Sequence, residues 1–559
     1  MVRLRVSQGV LVLVVTAALS ACGGPMNQSA APAGSGPAAN PIPAARNAPN
    51  GVTRRRVRKA SSGATDWDSF GFDLQRTGYN PNESTVGAGN VATLQQLWTI
   101  NVGYGMVHEP VFAYGVTVNS QSKNVLYAGS AAGVMYAIDT SNGNVLWKDT
   151  VPVEGYKCLS GVHYNVSIGE TPAIDRAKNL LYFSDGQDRV HAVDLGSGTE
   201  ASGWPITVAH WNKPDRNFLH GGFTYNPSNG LLYAVTGSAT CDMPPWHGRI
   251  VAINTTGPYI AGTFFTMSGN ATQGASGGGV WGPGGASIDP STNDVFIATG
   301  NADTSKGSPQ NSGYAEQVIQ LSPNLGNIIA NNYPTNIPVN GDPDFDFGAT
   351  PLIFQPSGCP EMVAAVNKSG MFELYDVSSI SNGPVQYIAM SVPTDKGDFV
   401  GVPAFDPVTN LVYVGMPATT KGYHAGLSAF SIASNCTLNT TPAWSAQFPP
   451  DATRLPGSQT PRSPLSIANG VIYVSNYSRK TEFAFNDATG AQLWSTPLSE
   501  WGSIGTVIAN GVVYVSSRDG NITAWAPPSS KSKKRNLRRM LPYTDHRAPE
   551  GAVLDSVLR

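Results

Sequence analysis

Apolar and polar residues alternate along Val125–Lys148, which reads VLYAGSAAGVMYAIDTSNGNVLWK. The alternation predicts three short β-strands, because successive side chains of a strand point to opposite faces of a sheet. We expect the strands at Val125–Ala128, Val134–Asp139 and Val145–Lys148, with turns of small residues between them. The pair Asn142-Gly143 in the second turn tolerates the positive φ of a tight hairpin. A unit this small cannot bury its own apolar face, so the pattern predicts that it packs against copies of itself.

The same pattern recurs in seven further stretches, which are Leu180–Leu195, Leu231–Asn254, Val295–Thr304, Val363–Asp376, Leu411–Ile432, Val471–Trp494 and Val512–Trp525. A strand of small residues, such as Glu170–Ile174, precedes each unit, so a complete unit has four strands. Four-stranded sheets that repeat around an axis form a β-propeller. The sequence therefore predicts an all-β fold, an eight-bladed β-propeller of four-stranded antiparallel sheets.

The ring is expected to close with a strand from its N-terminal end. Leu97–Val102 precedes the first unit, and we predict that it completes the last blade beside Val512–Trp525. Closure removes the exposed sheet edges that would otherwise favour aggregation. Tryptophan also ends three units, at Trp147, Trp444 and Trp494. Its repetition at one register predicts a residue that packs between adjacent blades.

Composition and charge narrow the class of protein. The chain has 559 residues, with 61 Gly and 42 Pro, which fits one large propeller better than a helical protein. Residues 66–528 contain 19 Lys and Arg against 34 Asp and Glu, a net charge of −15, although the whole chain carries only −2. An acidic body argues against nucleic acid as the partner of the propeller.

The N-terminal residues resemble a targeting segment. Arg3 and Arg5 precede a short apolar run, Gly9–Leu19, which is too short to span a bilayer. Leu19-Ser20-Ala21-Cys22 resembles a bacterial lipobox, so we expect residues 1–22 to act as a lipoprotein-type signal peptide and Cys22 to be the site of lipid attachment. An ordinary cleaved signal peptide is the alternative. The protein would then be exported and membrane-anchored, in the periplasm or at the cell surface.

Two segments outside the predicted propeller have compositions that cannot form a core. Residues 23–65 are rich in Pro, Ala and Gly and are expected to be a disordered tether. The basic run Arg54–Lys59 within them is either solvated or in contact with anionic lipid. Residues 529–559 are expected to be a disordered basic tail, which leaves residues 66–528 as the propeller domain.

Four cysteines besides Cys22 remain, at positions 158, 241, 359 and 436. Export permits disulfides, and four thiols allow three pairings. Their spacing matches no metal–thiolate or redox motif, so we interpret them as structural.

Two motifs resemble a known family. Ala137–Trp147 and FNDATGAQLW at Phe485–Trp494 are similar to the repeat of quinoprotein-type propellers. These include dehydrogenases that bind pyrroloquinoline quinone (PQQ) and a non-catalytic outer-membrane assembly lipoprotein. The opening segment DWDSFGFDLQRTGYNPNES, Asp66–Ser84, resembles that of PQQ-dependent alcohol and polyvinyl alcohol dehydrogenases. The resemblance covers nearly all of residues 66–528 and implies the fold more firmly than an activity.

The resemblance implies a cofactor site in Gly277–Asn301. The family segment contains a tryptophan that forms the floor under PQQ and an asparagine in Thr-Gly-Asn that ligates calcium. By this resemblance Trp281 would stack on the planar quinone, and Asn301 would offer its amide oxygen to Ca²⁺. The structural alternative is that Trp281 is a packing residue and Asn301 a turn residue.

A run of acidic residues, Asp342–Gly348, follows. Residues two apart on a strand share a face, so Asp342, Asp344 and Asp346 would repel one another and favour a nearby cation. The family places its catalytic aspartate in a similar stretch, which implies Asp344 or Asp346 as the base that takes a hydroxyl proton. The other carboxylate would help to hold the metal, and Asp346 is a candidate for both roles. A solvated acidic loop or a structural calcium site remains the alternative.

Two further residues are implied by the same resemblance. Lys368, in Asn367-Lys368-Ser369-Gly370, would stabilise negative charge on the quinone oxygens, unless it is a surface lysine in a turn. Asp242 lies near the position of an acidic calcium ligand, although the alignment there needs a gap.

Two functions remain open on the sequence alone. The first is a PQQ- and Ca²⁺-dependent dehydrogenase that oxidises a small or polymeric alcohol outside the cytoplasm. Because the chain lacks a Cys-x-x-Cys-His haem motif, this enzyme would need a separate electron acceptor. The second is a non-catalytic propeller lipoprotein, a scaffold for protein partners in the cell envelope. The missing Cys-Cys pair of the alcohol dehydrogenases favours the scaffold, whereas Trp281, Asn301 and Asp342–Asp346 favour the enzyme.

Overall fold

The computed structural model describes residues 65–528, apart from 106–107, 158–162, 210–216, 239–245, 268–275, 303–312, 336–345, 391–400, 417–422, 449–463, 477–478 and 503–504. Their regular structure consists of β-strands and two 3₁₀ segments, Val91–Thr93 and Val377–Asn382. No helix in this part of the chain is long and apolar enough to cross a membrane.

The strands follow one another blade by blade. The first two are β1 (Tyr79–Asn80) and β2 (Gln95–Asn101). Blade 1 contains β3 (Val111–Val118), β4 (Gln121–Ser130), β5 (Val134–Asp139) and β6 (Val145–Thr150), and the hairpin β7 (Glu154–Lys157) and β8 (His163–Val166) follows. Blade 2 contains β9 (Ala173–Asp175), β10 (Leu180–Ser184), β11 (Arg189–Asp194) and β12 (Ile206–Thr207). Blade 3 contains β13 (Asn217–Asn226), β14 (Leu231–Ser238), β15 (Arg249–Asn254) and β16 (Tyr259–Phe265). Blade 4 contains β17 (Ser287–Ile288), β18 (Val295–Ala298), β19 (Val318–Leu321) and β20 (Ile328–Asn332).

The second half of the domain repeats this arrangement. Blade 5 contains β21 (Leu352–Phe354), β22 (Met362–Val366), β23 (Met371–Asp376) and β24 (Gln386–Ala389). Blade 6 contains β25 (Ala404–Asp406), β26 (Leu411–Met416), β27 (Gly426–Ser431) and β28 (Trp444–Gln447). Blade 7 contains β29 (Ser466–Ala468), β30 (Val471–Asn476), β31 (Thr481–Asn486) and β32 (Gln492–Pro497). Blade 8 contains β33 (Val507–Ala509), β34 (Val512–Ser516) and β35 (Asn521–Ala526), completed by β2.

These sheets confirm the predicted eight-bladed propeller. Within each blade, consecutive strands pair antiparallel, and the first strands of successive blades contact one another around the axis. The closing strand is also confirmed, because β2 pairs antiparallel with β35 in a register that runs from Gln95↔Ala526 to Asn101↔Asn521. The last blade is therefore built from both ends of the domain, and β2 forms its outermost strand.

Alternation along each strand explains how the blades pack. In β4, Val125 and Tyr127 point into an apolar cluster shared with blade 2, whereas Leu126 and Ala128 point into a cluster shared with blade 8. Successive residues of the strand thus pack alternately into the core on one side of the blade and the core on the other. Because both faces of a blade pack against neighbouring blades, the inner strands are largely apolar or small on both faces, although buried polar residues such as Glu373 and Glu482 also lie on them.

Tryptophans at the blade edges pack on the neighbouring blade, as predicted from their repetition. Trp147 donates its indole N–H to the carbonyl of Leu195 in blade 2 at 2.9 Å. Its ring lies against Gly198, where an added Cβ would come within 2.8 Å of the indole. Trp444 makes the same contact with blade 7, through the carbonyl of Asp487 at 2.8 Å. Each hydrogen bond fixes the distance between two adjacent blades.

A segment in which apolar and polar residues do not alternate fills the centre of the ring. This axial segment, residues 66–80, crosses the innermost strands and bonds to every blade. Trp67 exchanges two backbone hydrogen bonds with Phe112 of blade 1, at 2.9 and 2.8 Å. Five carbonyls of the axial segment, in Asp68, Leu74, Gln75, Thr77 and Gly78, accept the N–H groups of Ile174, Ile288, Ile353, Phe405 and Ile467, in blades 2, 4, 5, 6 and 7.

Side chains of the axial segment reach the remaining two blades. The buried Arg76 guanidinium donates to the hydroxyl of Thr224 in blade 3 and to the carbonyl of Ala286 in blade 4. Asn80 donates from Nδ2 to the carbonyl of Ile508 in blade 8 at 2.8 Å. The Phe70 side chain, 2% exposed, lies close to Gly222 and Gly284, where an added Cβ would meet it within 3.0 and 2.7 Å. The axial segment therefore occupies the centre of the ring and links the blades that surround it.

One disulfide joins two neighbouring blades. Cys359, in the turn between β21 and β22, bonds to Cys436, which follows β27, with their Cα atoms 5.6 Å apart. This selects one of the three pairings that the sequence left open, at least for these two thiols. Cys158 and Cys241 lie outside the described residues.

Candidate active site at blades 4 and 5

The propeller topology gathers the candidate residues at one end of the ring. In an antiparallel blade, the residues before the first strand and the turn between the second and third strands lie on the same face. Trp281 precedes β17 and Gly300 follows β18 in blade 4, while Asp346 precedes β21 and Lys368 lies in the turn between β22 and β23 of blade 5. Four loops distant in sequence are thus brought to the boundary between two blades.

Three of the predicted site residues are in direct contact. Trp281 donates its indole N–H to Oδ2 of Asp346 at 2.8 Å. The Lys368 ammonium lies 3.0 Å from Oδ1 of the same carboxylate and 4.6 Å from the centre of the Trp281 ring. The ammonium is therefore held both by the carboxylate and by the aromatic face. This arrangement brings the three side chains together at the boundary between blades 4 and 5.

Backbone contacts fix the orientation of Trp281, Asp346 and Lys368, which we call the triad. Lys368 donates its backbone N–H to the carbonyl of Asp346 at 2.9 Å, which ties the two loops of blade 5 together. The turn that carries Lys368 is closed by Asn367, whose Oδ1 accepts from the backbone of Ser369 and of Met371 at 3.1 and 3.2 Å. Gly370 supplies the positive φ of this turn, at 79°. Lys368 is therefore a largely buried residue in a hydrogen-bonded hairpin turn rather than a solvated surface lysine.

Gly300 leaves the space that the triad needs. Its N–H donates to the carbonyl of Gly279 at 2.6 Å, which lays the Thr299–Asn301 backbone beside the Trp281 loop. A Cβ at Gly300 would lie 2.9 Å from Oδ2 of Asp346 and 3.0 Å from Nε1 of Trp281. Any larger residue would therefore press on the Trp281–Asp346 hydrogen bond.

The other predicted residues are placed less directly. Asn301 follows Gly300 and is partly buried, and its carboxamide N–H contacts only the carbonyl of Ala302, at 3.4 Å, among the described residues. Its amide oxygen is thus near the triad in sequence, without a described contact to it. Asp344 and Asp242 lie outside the described residues, and so does Cys22. Their roles stay predictions.

The analysis of the sequence did not identify one buried acid beside these residues, Glu316. Its backbone N–H donates to the carbonyl of Gly300 at 3.0 Å, and Tyr333 donates its hydroxyl to Oε2 at 3.3 Å. Burial first, and then the charge of Asp346, raise the pKa of Glu316 to about 7. A single glutamate in a loop carries no motif, so only its position in the fold could reveal it.

A second buried acid lies at the mouth of the ring, before the first strand of blade 1. Glu109 accepts hydrogen bonds at Oε1 from the indole of Trp67 and from the backbone of Gly71, at 2.5 and 3.0 Å. Its Oε2 has no hydrogen-bond partner in the described part of the chain. Burial raises the pKa of Glu109 to about 8. The axial segment and this end of the ring are thus linked through one carboxyl group.

The residues present fit a planar quinone with a cation beside it. The Trp281 indole offers an aromatic face, and glycines at positions 277–279, 282, 284 and 300 keep the surrounding loops free of side chains. Asp346 Oδ1 is buried and accepts no hydrogen bond, although it forms an ion pair with Lys368. Carboxylate and amide oxygens are suitable ligands for Ca²⁺. The ammonium of Lys368 suits an oxygen that gains negative charge.

Comparison with known families supports this reading of the fold. Residues 67–331 match a family model described as the β-propeller domain of glucose, ethanol and alcohol dehydrogenases, named for PQQ. Residues 439–536 match a second model, described as the outer membrane protein assembly factor BamB. The first match includes residues 67–80 of the axial segment, Trp281 and Gly300, and it ends before Asp346 and Lys368.

Individual relatives point the same way. A polyvinyl alcohol dehydrogenase of a Pseudomonas species is 22% identical over 504 residues, which cover 81% of this chain and 73% of that protein. Quinohemoprotein alcohol dehydrogenase of Comamonas testosteroni is 27% identical over 188 residues, 33% of this chain and 23% of that protein. Its crystal structure superposes with a TM-score of 0.60 at 15% identity, and covers 86% of this chain and 83% of that chain. A europium-containing methanol dehydrogenase has a TM-score of 0.62 at 13% identity, and covers 84% and 99%. These matches support a PQQ-dependent alcohol dehydrogenase-like β-propeller family for this chain.

Proposed function

We propose that the protein is a PQQ- and Ca²⁺-dependent dehydrogenase that oxidises an alcohol. The observation that carries the proposal is the triad of Trp281, Asp346 and Lys368, which places an aromatic platform, a carboxylate and an ammonium within hydrogen-bonding or cation–π distance of one another. The Asp346 carboxylate is buried, and its Oδ1 faces the Lys368 ammonium at 3.0 Å.

Each residue of the triad has a defined task in this proposal. Bound PQQ would supply the acceptor for the hydride, which carries both electrons of the oxidation. Asp346 accepts the proton of the substrate hydroxyl, through Oδ1, because Oδ2 is already occupied by the Trp281 N–H. Lys368 compensates the negative charge that develops near its ammonium. Trp281 supports the ring system from one side and holds Asp346 in place.

Two residues would hold the cation. Asn301 would contribute its amide oxygen and Asp346 its Oδ2, which keeps one lone pair beside the Trp281 hydrogen bond, and both are hard ligands suited to Ca²⁺. Asp242 belongs to the same proposed ligand set by resemblance to the family. The substrate class of the Pseudomonas relative, polyvinyl alcohol, makes both small and polymeric alcohols reasonable substrates to test.

The cellular setting is part of the proposal. We propose export through the lipoprotein-type signal peptide, with Cys22 as the lipid attachment site and a separate protein as the electron acceptor. The acidic propeller and the match to an outer-membrane assembly factor over residues 439–536 support the rival scaffold function. That match does not include Trp281, Asp346 or Lys368, of which the PQQ match includes Trp281.

One experiment tests the proposal against its rival. The purified protein is titrated with PQQ and Ca²⁺, tryptophan fluorescence is followed, and oxidation of alcohols is measured with an artificial dye as electron acceptor. Quenching that saturates, together with dye reduction that depends on both additions, supports the dehydrogenase. Absence of both signals would leave the scaffold function.

A further inference from the structure

We infer that Thr350 is a positioning residue of the candidate active site, because its hydroxyl holds the loop of Trp281 in blade 4 against the loop of Asp346 in blade 5. Thr350 acts through these two residues. The inference rests on the proposed function for its consequence in catalysis, whereas the geometry that it assigns belongs to the protein itself. Neither the motifs nor the family resemblance singled out this threonine.

The Thr350 hydroxyl bridges the two blades. Thr350 follows Asp346 by four residues and is 1% exposed. Its Oγ1 accepts the backbone N–H of Gly284, three residues after Trp281, at 2.8 Å. The hydrogen bond between Trp281 and Asp346, also 2.8 Å long, joins the same two loops. Two hydrogen bonds therefore span one gap, and together they fix both the separation and the relative rotation of the loops.

The turn that follows Trp281 depends on contacts from its neighbours. Residues 282–285 have the sequence Gly-Pro-Gly-Gly. Glycine has the widest backbone freedom of any residue, so a turn of this composition needs outside partners to define its position. Blade 3 provides one partner, because Gly222 donates its N–H to the carbonyl of Pro283 at 2.8 Å. The hydroxyl of Thr350 provides the partner from blade 5.

The same turn approaches Thr350 closely. A Cβ added at Gly282 would lie 2.6 Å from the backbone nitrogen of Thr350 and 2.7 Å from its Oγ1. A Cβ added at Gly284 would lie 3.1 Å from Oγ1 and 2.7 Å from the ring of Phe70, in the axial segment. The turn is thus packed between Thr350 and Phe70. Because Gly282 is the residue next to Trp281, a displacement of the turn moves the indole.

Thr350→Val tests this role, since it replaces the hydroxyl with a methyl group of similar size and removes the acceptor for the Gly284 N–H. The indole N–H of Trp281 is observed by NMR in the full chain with ¹⁵N-labelled tryptophan, and Trp281→Phe identifies its signal among the 11 tryptophans. We expect its hydrogen exchange with solvent to become about fivefold to tenfold faster, because the bond to Asp346 opens more often. In protein loaded with PQQ and Ca²⁺, kcat for alcohol oxidation should fall about tenfold at nearly constant KM.

Two further variants separate positioning from stability alone. Thr350→Ser keeps the hydroxyl and should retain the slow exchange of the Trp281 indole. Ser287→Ala removes another hydrogen bond between the same two blades, from the Ser287 hydroxyl to the carbonyl of Pro351. This variant should lose stability to urea much as Thr350→Val does, and it should keep the wild-type exchange rate and kcat. If Thr350→Val does not fold, Thr350→Cys provides the same comparison with a smaller effect, because a thiol is a weaker acceptor.

The outcomes also separate this inference from the proposed function. If the wild-type protein oxidises no alcohol, the proposed function fails, and the exchange measurements still decide the role of Thr350. An unchanged indole exchange rate in Thr350→Val would overturn the inference. An equal acceleration in Ser287→Ala, or a normal kcat in an active Thr350→Val enzyme, would overturn it as well. Acceleration in Thr350→Val that is absent from Thr350→Ser and Ser287→Ala supports it.

Discussion

The indole N–H of Trp281 donates to Oδ2 of Asp346 at 2.8 Å, so the aromatic platform and the candidate base are one hydrogen-bonded unit. Trp281 stands before the first strand of blade 4, and Asp346 stands before the first strand of blade 5. Neighbouring blades therefore contribute one group each, and the relative position of the two blades sets the geometry of the site.

Trp281→Phe separates the two roles of this residue. Phenylalanine keeps an apolar ring for stacking and loses the donor to Asp346, so PQQ affinity should change by only a few-fold while kcat falls about tenfold. Equilibrium dialysis of PQQ and dye-linked alcohol oxidation measure the two effects. A normal kcat would show that the hydrogen bond does not position the base.

Gly300→Ala tests the close approach at the triad. The added Cβ would lie 2.9 and 3.0 Å from Asp346 Oδ2 and Trp281 Nε1, so the hydrogen bond between them must lengthen. We expect loss of most alcohol oxidation with little change in the urea midpoint. The control is Gly257→Ala, where an added Cβ meets no atom within 4 Å, and this variant should keep full activity. Equal activity of the two variants would contradict the proposed geometry.

Lys368→Met removes the ammonium that lies 3.0 Å from Asp346 and above the Trp281 ring. Methionine fills similar volume without charge, so the loss should fall on kcat, by about tenfold to a hundredfold, if the ammonium stabilises developing negative charge. Lys368→Arg keeps the charge and serves as the control, with a smaller loss. Steady-state kinetics over a range of alcohol concentrations distinguish kcat from KM, and an effect on KM alone would argue against this role.

Buried acids should make the fold less stable as the pH rises. Burial raises the pKa of Glu482 to about 7 and that of Glu373 to about 8, against 4.5 for an ordinary glutamate. Between pH 4.5 and 7 the folded protein therefore holds more protons than the unfolded chain, and the free energy of unfolding falls with rising pH, by up to about 1.4 kcal/mol per pH unit for each group. Urea unfolding at several pH values measures the slope. Glu482→Gln should reduce it, and an unchanged slope would mean that Glu482 ionises normally in the fold.

Phe70→Ala tests the centre of the ring. Phe70 is 2% exposed and fills the space left by Gly222 and Gly284, so its truncation opens a cavity between blades 3 and 4. We expect a loss of about 3–5 kcal/mol in the free energy of unfolding, measured with urea. Val408→Ala, at a residue 71% exposed, should change stability by less than about 0.5 kcal/mol. Similar midpoints for the two variants would show that the axial segment contributes little.

The sequence was most informative where a physical pattern repeats. Alternation within Val125–Lys148 and its copies predicted the blades, and the strand near Leu97 was correctly expected to close the last one. The resemblance to quinoproteins selected Trp281, Asp346 and Lys368, and the fold brings them together. The sequence could not distinguish Asp344 from Asp346 as the candidate base, because residues two apart share a face of a strand.

Other features depend on contacts that no local pattern encodes. Glu316 and Glu109 are single acids in loops, and their raised pKa values come from burial by blades far away in the sequence. The pairing of Cys359 with Cys436 depends on which turns of blades 5 and 6 are adjacent. The axial segment has no alternation at all, because its partners surround it on all sides rather than on one face.

The axial segment also sets the number of blades. Its hydrogen bonds reach all eight blades, from Phe112 in the first to Ile508 in the last. A gene rearrangement that duplicated or deleted one repeat would leave a bond without its blade, or a blade without its bond, even if the new ring could close. Evolution of this protein to seven or nine blades would thus require a simultaneous change in the length and sequence of residues 66–80.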